Sequence, residues 1–418
     1  MDGIAGEDAG IKLRALIFAL LALAFGHMLS TLLRTIPAIS IDLMAADFGT
    51  SPQALASLTS IYHFAFAASQ IPVGAAMDRF GVRPVSLSLL VGTVVGAMAS
   101  GFATGPASFL FGQLLLGVAT SGMLMCPMTL AAKQMSAARF GLWSGLILSI
   151  GNIGMLLSSS PLAFIVEHLG WRAGFWLSAG FGAAVAVAVF ALVPKQPADH
   201  ADDSSPLAQM IDVIRLGLSY QLRGLIALAL VSLGASLVLR GLWAGPWLMQ
   251  IKGLARIEAG NELGLFTLAL IVGPLCVGMF DRRFGHRRAI VAAAHALTAL
   301  LLCLMAAGAP HYPVSDIFGV TAMPSRYDLL LLIMIGFAIS AQPLIFGMTR
   351  QLVDAQNTGK ALSAANLAFF LGAALMQSAT GVVAALAGLP AVLLFMAAAL
   401  IVGTALFLVY TSAETAIR

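Results

Sequence analysis

Charge is what this sequence has least of. Asp, Glu, Lys and Arg make up only 10% of its 418 residues, against 60% hydrophobic ones, where a soluble domain carries about 25% charged and roughly 45 to 50% apolar residues. With a mean hydropathy of +0.96, a water-soluble globule is excluded. Three cysteines, Cys126, Cys276 and Cys303, all lie in apolar runs; there a thiol acts as a small hydrophobe and no disulfide framework is implied. No Gly-x-x-x-x-Gly-Lys-Ser/Thr phosphate loop occurs and no soluble stretch could house ATP. Nor is there a His-rich or Cys-His constellation, so no metal, cofactor or enzymatic activity is predicted. The alternation of a membrane β-barrel is missing as well, since Val185 to Val193 and Leu393 to Leu408 are apolar all round.

What is present is a series of apolar runs. A helix needs about 20 mostly apolar residues to cross the hydrocarbon core with its backbone satisfied internally. Such runs fall at 14–44, 53–76, 84–104, 108–132, 141–165, 172–193, 222–250, 262–280, 289–308, 327–349, 361–386 and 389–411. The expected fold is therefore an all-α integral membrane protein with twelve transmembrane helices. One polar stretch interrupts the series: Pro194 to Ser205, rich in Pro, Asp and Ser, followed by helical apolar spacing over Leu207 to Leu218. It reads as a linker with a short surface helix, dividing the chain into six-helix bundles at 1–194 and 222–418 joined by 195–221. Two parallel repeats about an axis along the membrane normal have this arrangement, with substrate held between them.

Orientation follows from the positive residues. With both termini cytoplasmic, sixteen of the 22 Lys and Arg fall on the inner side, among them Arg79, Arg83, Lys133, Arg139, Lys195, Arg283 and Arg287. The net charge of +4 is this topological bias and implies no nucleic-acid partner. The first ten residues are polar and acidic, so a retained N-terminus is expected. The expected location is the bacterial inner membrane, multi-pass.

A loop motif occurs twice. Gly74 with Phe80-Gly81-Val82-Arg83, and Gly278 with Phe284-Gly285-His286-Arg287, stand 204 residues apart, and Gly49 and Gly253 keep the same offset. The first copy, Gly74-x-x-x-Asp78-Arg79-x-Gly81-x-Arg83, lies between the second and third runs. Gly74 permits close helix approach, Gly81 a left-handed turn, and the arginines hold the loop on the cytoplasmic side. In this position the motif resembles the loop signature of the major facilitator superfamily, and the resemblance extends over the whole chain. It implies that family's fold, two pseudo-symmetric six-helix bundles working by alternating access as a monomer. It also implies that Gly74, Asp78, Arg79, Gly81 and Arg83 form a latch closing the cytoplasmic side. In the second copy the acid, Asp281, sits one residue earlier relative to its glycine. Two further signatures of that family are altered. Gln113 stands where proton-coupled members carry Arg, and Ser158-Ser159-Ser160-Pro161-Leu162-Ala163 replaces the Gly-Pro-x-x-Gly-Gly of antiporters.

Ionisable side chains inside spans are costly and point to function. Arg240 and Arg34 stand near corresponding positions of the seventh and first spans. Guanidinium groups match carboxylates bidentately and stay charged, and no Asp or Glu occurs in the middle of a span to neutralise them. Arg34 lies 20 residues past Arg14, about 30 Å along a helix, so it either faces a cavity or snorkels to the far interface. The neighbours of Arg240, including Trp243 and Trp247, would line a cavity. His27, Tyr62 and His63 join the candidate substrate site, the imidazoles offering a route to coupling with H+, although a histidine on an apolar helix, as at His295, also serves as a packing residue. Gln342, Asn366 and Gln377 could donate neutral hydrogen bonds to substrate or join helices.

These features predict a secondary active or facilitative transporter of a small organic anion of carboxylate type. Its partners would be that substrate, the lipid bilayer and H+ as coupling ion. The alternative is efflux of amphipathic drugs or metabolites, which the methionine-rich spans would suit.

Overall fold

The structure is a computed structural model that describes residues 2–135, 137–195, 206–354 and 357–411. Most of the polar linker stretch, 196–205, lies outside the described residues, as do the side chains of residues 2–13, 137, 138, 140–142, 206, 207 and 209. Every regular element among the described residues is helical, as lipid requires of a chain whose amides have no water to bond.

Among the described residues ten segments are long and apolar enough to cross a membrane, two fewer than the twelve runs expected, and each difference has a physical cause. Thr358–Tyr410 runs for 53 residues, about 80 Å at 1.5 Å per residue, more than twice a hydrocarbon core of about 30 Å. Gly388, at φ 80°, followed by Pro390, breaks it into two lengths. Ile61–Phe80 has the length of a span, but Tyr62, His63, Gln70, Asp78 and Arg79 lower its hydropathy. The surface helix expected after the linker is present as Pro206–Gly217.

Five spans are interrupted beside prolines, which cannot donate to the carbonyl four residues back; in the fourth, Pro106–Thr120 and Met125–Gln134 are separated just ahead of Pro127. The first helix, Asp2–Thr35, gives way to a 3-10 turn at Ile36–Ile39 that contains Pro37. Ala137–Leu157 and Ser160–Leu169 are separated just ahead of Pro161. Ser325–Ile339 and Gln342–Gln351 are separated just ahead of Pro343. In the seventh span Arg223–Val238 passes into a π turn, Leu239–Trp243, then Ala244–Pro246 and a second π turn, Trp247–Ile251. Gly241, Gly245 and Pro246 all weaken the regular ladder there, and short π turns are frequent at functional sites.

Helices before residue 195 pack mainly on one another, as do those after 222, and seams join the two series. Small residues let backbones meet at these seams. A Cβ on Gly245 would lie 1.6 Å from the Ala38 carbonyl oxygen, one on Gly381 2.7 Å from the Ser57 nitrogen, and one on Gly260 3.1 Å from Ser160 Cα. Polar ties reinforce the seams at the end remote from Gly81 and Gly285. Arg256 donates to both Asp42 carboxylate oxygens at 3.0 and 2.7 Å, Gln377 to Thr59 Oγ1 at 2.8 Å, Ser57 to the Ser378 carbonyl at 2.9 Å, and Ser160 to Asn261 Oδ1 at 2.5 Å. That end is closed.

Candidate functional site

Where the interrupted spans face each other stands Arg240, fully buried at 0% exposure. Its Nε donates to Thr267 Oγ1 at 2.6 Å within its own series. Its Nη2 crosses the seam, donating to the Met155 carbonyl at 2.8 Å and to Ser159 Oγ at 2.7 Å. Both acceptors lie at the break between Leu157 and Ser160, where the interrupted ladder frees a carbonyl and presents hydroxyls. Ser158 Oγ is held beside them by a bond from Thr35 Oγ1 at 2.7 Å. Nη1 is buried with no hydrogen-bond partner among the described residues, and no carboxylate there forms an ion pair with this guanidinium. An unmet buried donor on a charged group costs at least about 1 to 3 kcal/mol.

Arg240 borders a cavity of about 280 Å³ whose wall also holds Asn152, Gln342, Asn366, Phe369 and Phe370. The Gln342 amide donates to the Ser232 carbonyl at 2.8 Å and to Ser236 Oγ at 3.1 Å. The Asn366 amide donates across the seam to Gln70 Oε1. Two of the amides proposed from sequence thus reach the cavity while joining helices, and Gln377 is engaged at the closed end.

The remaining candidates form a second group. Arg34 is half-buried, bonds Ser30 Oγ at 3.0 Å, and lies over Phe66 of one series at 5.4 Å and Phe370 of the other at 5.7 Å. It is not part of the cavity wall, yet Phe370 touches both. Tyr62 shares a 2.6 Å hydrogen bond with Thr120 Oγ1 and meets His63 edge-on at 5.1 Å. Neither ring nitrogen of His63 nor Nδ1 of His27 has a hydrogen-bond partner among the described residues. His295, by contrast, is committed at both nitrogens, to Ser232 Oγ at 2.6 Å and the Val291 carbonyl at 2.7 Å, as a packing residue would be.

Trp243 and Trp247 are placed away from the cavity wall. Their indole nitrogens donate to Thr380 Oγ1 at 2.9 Å and to Asp328 Oδ1 at 2.8 Å. Asp328 belongs to a buried pair that sequence reasoning missed: its Oδ2 lies 3.0 Å from Lys252 Nζ, with side chains 0% and 1% exposed. Lys252 also donates to the Gly308 and Met323 carbonyls at 2.9 and 3.0 Å. Lys252 reads as an outer-loop cation and Asp328 as the edge of a span; the one available signal was an acid placed directly before Leu329-Leu330-Leu331-Leu332. Ser158, Ser159 and Thr267 were missed too, though three serines ahead of a proline in an apolar run were visible.

At the loop motif Gly81 adopts φ 82° and ends Ile61–Phe80, while a Cβ on Gly74 would meet Met125 Cε at 3.4 Å. Asp78 and Arg79 are exposed; Arg79 lies over Phe80 at 5.4 Å. Arg83 donates to the Phe190 carbonyl at 2.6 Å and lies over its ring at 5.0 Å, so both arginines are engaged within the first series. In the second copy Asp281 pairs with Arg287 at 2.9 Å across Gly285, at φ 66°.

Comparison with known proteins matches this architecture. The chain is 28% identical over 200 residues to the tetracenomycin C resistance and export protein of Streptomyces glaucescens, covering 46% of this chain and 36% of that protein. It is 25% identical over 293 residues to a gallate transporter of Pseudomonas putida, covering 63% and 64%. The chain thus spans less than two thirds of the length of either. A solved POT family transporter in complex with 5-aminolevulinic acid superposes with a TM-score of 0.76 at 13% identity, over 94% of this chain and 96% of that one. The Major Facilitator Superfamily model matches residues 23–323, which take in the repeated loop, the interrupted spans that precede Ser325, and Arg240: the chain is a multi-pass membrane protein of the Major Facilitator Superfamily.

Proposed function

We propose that this protein is a secondary active or facilitative transporter that moves a small organic anion across the bacterial inner membrane by alternating access. The observation that carries the reading is the Arg240 guanidinium, buried without a carboxylate, tied to both series of helices and left with one unmet donor. A carboxylate that took Nη1 together with Nη2 would form the bidentate pair this group favours. To do so it would displace the Met155 carbonyl and Ser159 hydroxyl, loosening the seam at the moment of binding. Substrate thereby converts binding energy into relative movement of the bundles at 1–194 and 222–418, joined by 195–221.

With both termini cytoplasmic, the end tied by Arg256 to Asp42 and Ser57 to Ser378 is the outer one. Gly74, Asp78, Arg79, Gly81 and Arg83 then act in the opposite state, closing the cytoplasmic side. H+ is proposed as the coupling ion, with the imidazoles of His27 and His63 as its candidate carriers. The proposed functional unit is a monomer. The gallate relative supports an anionic substrate and the export relative supports efflux. A cavity of about 280 Å³ lies below the roughly 300 to 1,000 Å³ of drug-sized sites and favours the small anion.

Thermal unfolding of purified protein with carboxylates, amines and neutral solutes, comparing wild type with Arg34→Gln and Arg240→Gln, tests this reading. A ligand at 100 times its dissociation constant should stabilise by about 2.7 kcal/mol. Stabilisation by anions alone, abolished in Arg240→Gln, is expected. Equal stabilisation of both variants by cations or neutral hydrophobes would make the arginines structural and establish efflux.

A further inference from the structure

Resting on that reading, we infer that the substrate is a monocarboxylate carried on a single aromatic ring. Three properties of the cavity define the class. The first is charge: among the residues bordering it, Arg240 is the sole ionisable one. A second carboxylate on the ligand would be desolvated with no cation to meet it, which is strongly unfavourable. Arg34 cannot serve there, since its guanidinium is held over Phe66 and Phe370 and bonded to Ser30. Of the wall amides, Gln342 and Asn366 already donate to protein acceptors, and Asn152 offers a neutral donor that cannot balance a second negative charge.

The second property is the apolar body. Phe346, Phe369 and Phe370 border the cavity together, and they belong to two ring pairs, Phe346 with Phe369 at 5.1 Å and Phe370 with Phe66 at 4.2 Å, both tilted. A flat ring entering beside them extends an existing aromatic cluster in the offset or edge geometries such rings prefer. Leu237, Leu270 and Ile339 complete an apolar enclosure. A short aliphatic acid would satisfy Arg240 and leave this surface unused. The third property is size: about 280 Å³ accommodates one substituted ring with its carboxylate.

The test is a binding series on the detergent-purified full chain, with benzoate, propionate, succinate and benzamide as probes, read by thermal unfolding and confirmed by calorimetry. Benzoate should bind on the order of tenfold or more tighter than propionate, from the additional apolar area buried, while succinate and benzamide should not bind measurably. Phe369→Leu and Phe370→Leu should narrow the benzoate-to-propionate ratio by weakening benzoate more than propionate. If succinate or propionate matches benzoate and both depend on Arg240, the aromatic class is overturned while the anion reading stands. If benzamide binds as well as benzoate, charge is irrelevant and both fall. The order of affinities in wild type decides the class even if Arg240→Gln does not fold.

Discussion

Arg240 Nη2 and Ser159 Oγ meet at 2.7 Å across the seam between the two helical series, from positions 81 residues apart. The same nitrogen serves the Met155 carbonyl. Hydrogen bonds to charged groups contribute about 1.5 to 3 kcal/mol. We predict that Ser159→Ala lowers the thermal stability of the ligand-free protein and tightens anion binding, because a competitor for the guanidinium has been removed. Titration of both proteins with benzoate checks this; unchanged affinity together with unchanged stability would show that the contact couples nothing.

The Lys252 and Asp328 pair, shielded from water on both sides, should behave as buried ion pairs do. Removing one member strands a charge at a cost of about 3 to 5 kcal/mol, while replacing both with apolar groups restores much of the loss. Asp328→Asn should therefore lower the melting temperature far more than the double variant Lys252→Met with Asp328→Leu. A double variant no better than the single one would count against this account of the pair.

Gly245 seats the seventh span on the first, where a Cβ would overlap the Ala38 carbonyl oxygen at 1.6 Å. Gly145, also helical, has nothing within 4 Å of its Cβ position. Gly245→Ala should reduce stability and any measured flux, whereas Gly145→Ala should be neutral or slightly stabilising, given the better helix propensity of Ala. Equal behaviour of the two variants by thermal unfolding would remove the seam from consideration.

At the closed end, outside the spans, Asp47 accepts from Trp171 Nε1 at 2.9 Å and from Arg172 Nη1 at 2.5 Å. The Trp171 bond, followed by those to Arg172, holds its carboxyl below the usual aspartate range. A group whose value is lower folded than unfolded stabilises fully above its unfolded value and loses that contribution as pH falls through the folded one. The stability gap between wild type and Asp47→Asn should accordingly be widest near neutrality and close below about pH 3.9. A gap of the same size at neutral and strongly acidic pH contradicts the assignment.

Some of this was legible along the chain. Low charge and uniform apolarity are properties of composition, and lipid admits helices alone for such runs. The repeated Gly81 and Gly285 loops depend on local φ values that only glycine adopts readily, so their positions in sequence announced turns that the structure contains. Arg240 could be singled out because a charge within a span is costly wherever its neighbours lie.

Which side of each helix faces inward depended on the tertiary structure. These spans are apolar all round, and lipid is as apolar as leucine, so no amphipathic stripe distinguished the cavity face from the lipid face. Hence Trp243 and Trp247 could be placed beside Arg240 in sequence and still turn to Thr380 and Asp328. Packing likewise decided that Ser158 and Ser159 meet Arg240, that Lys252 finds Asp328, and that Arg240 Nη1 meets no partner among the described residues. Each of these is a relation between distant segments, set when interrupted helices dock and their freed polar groups must find partners in a medium that supplies none.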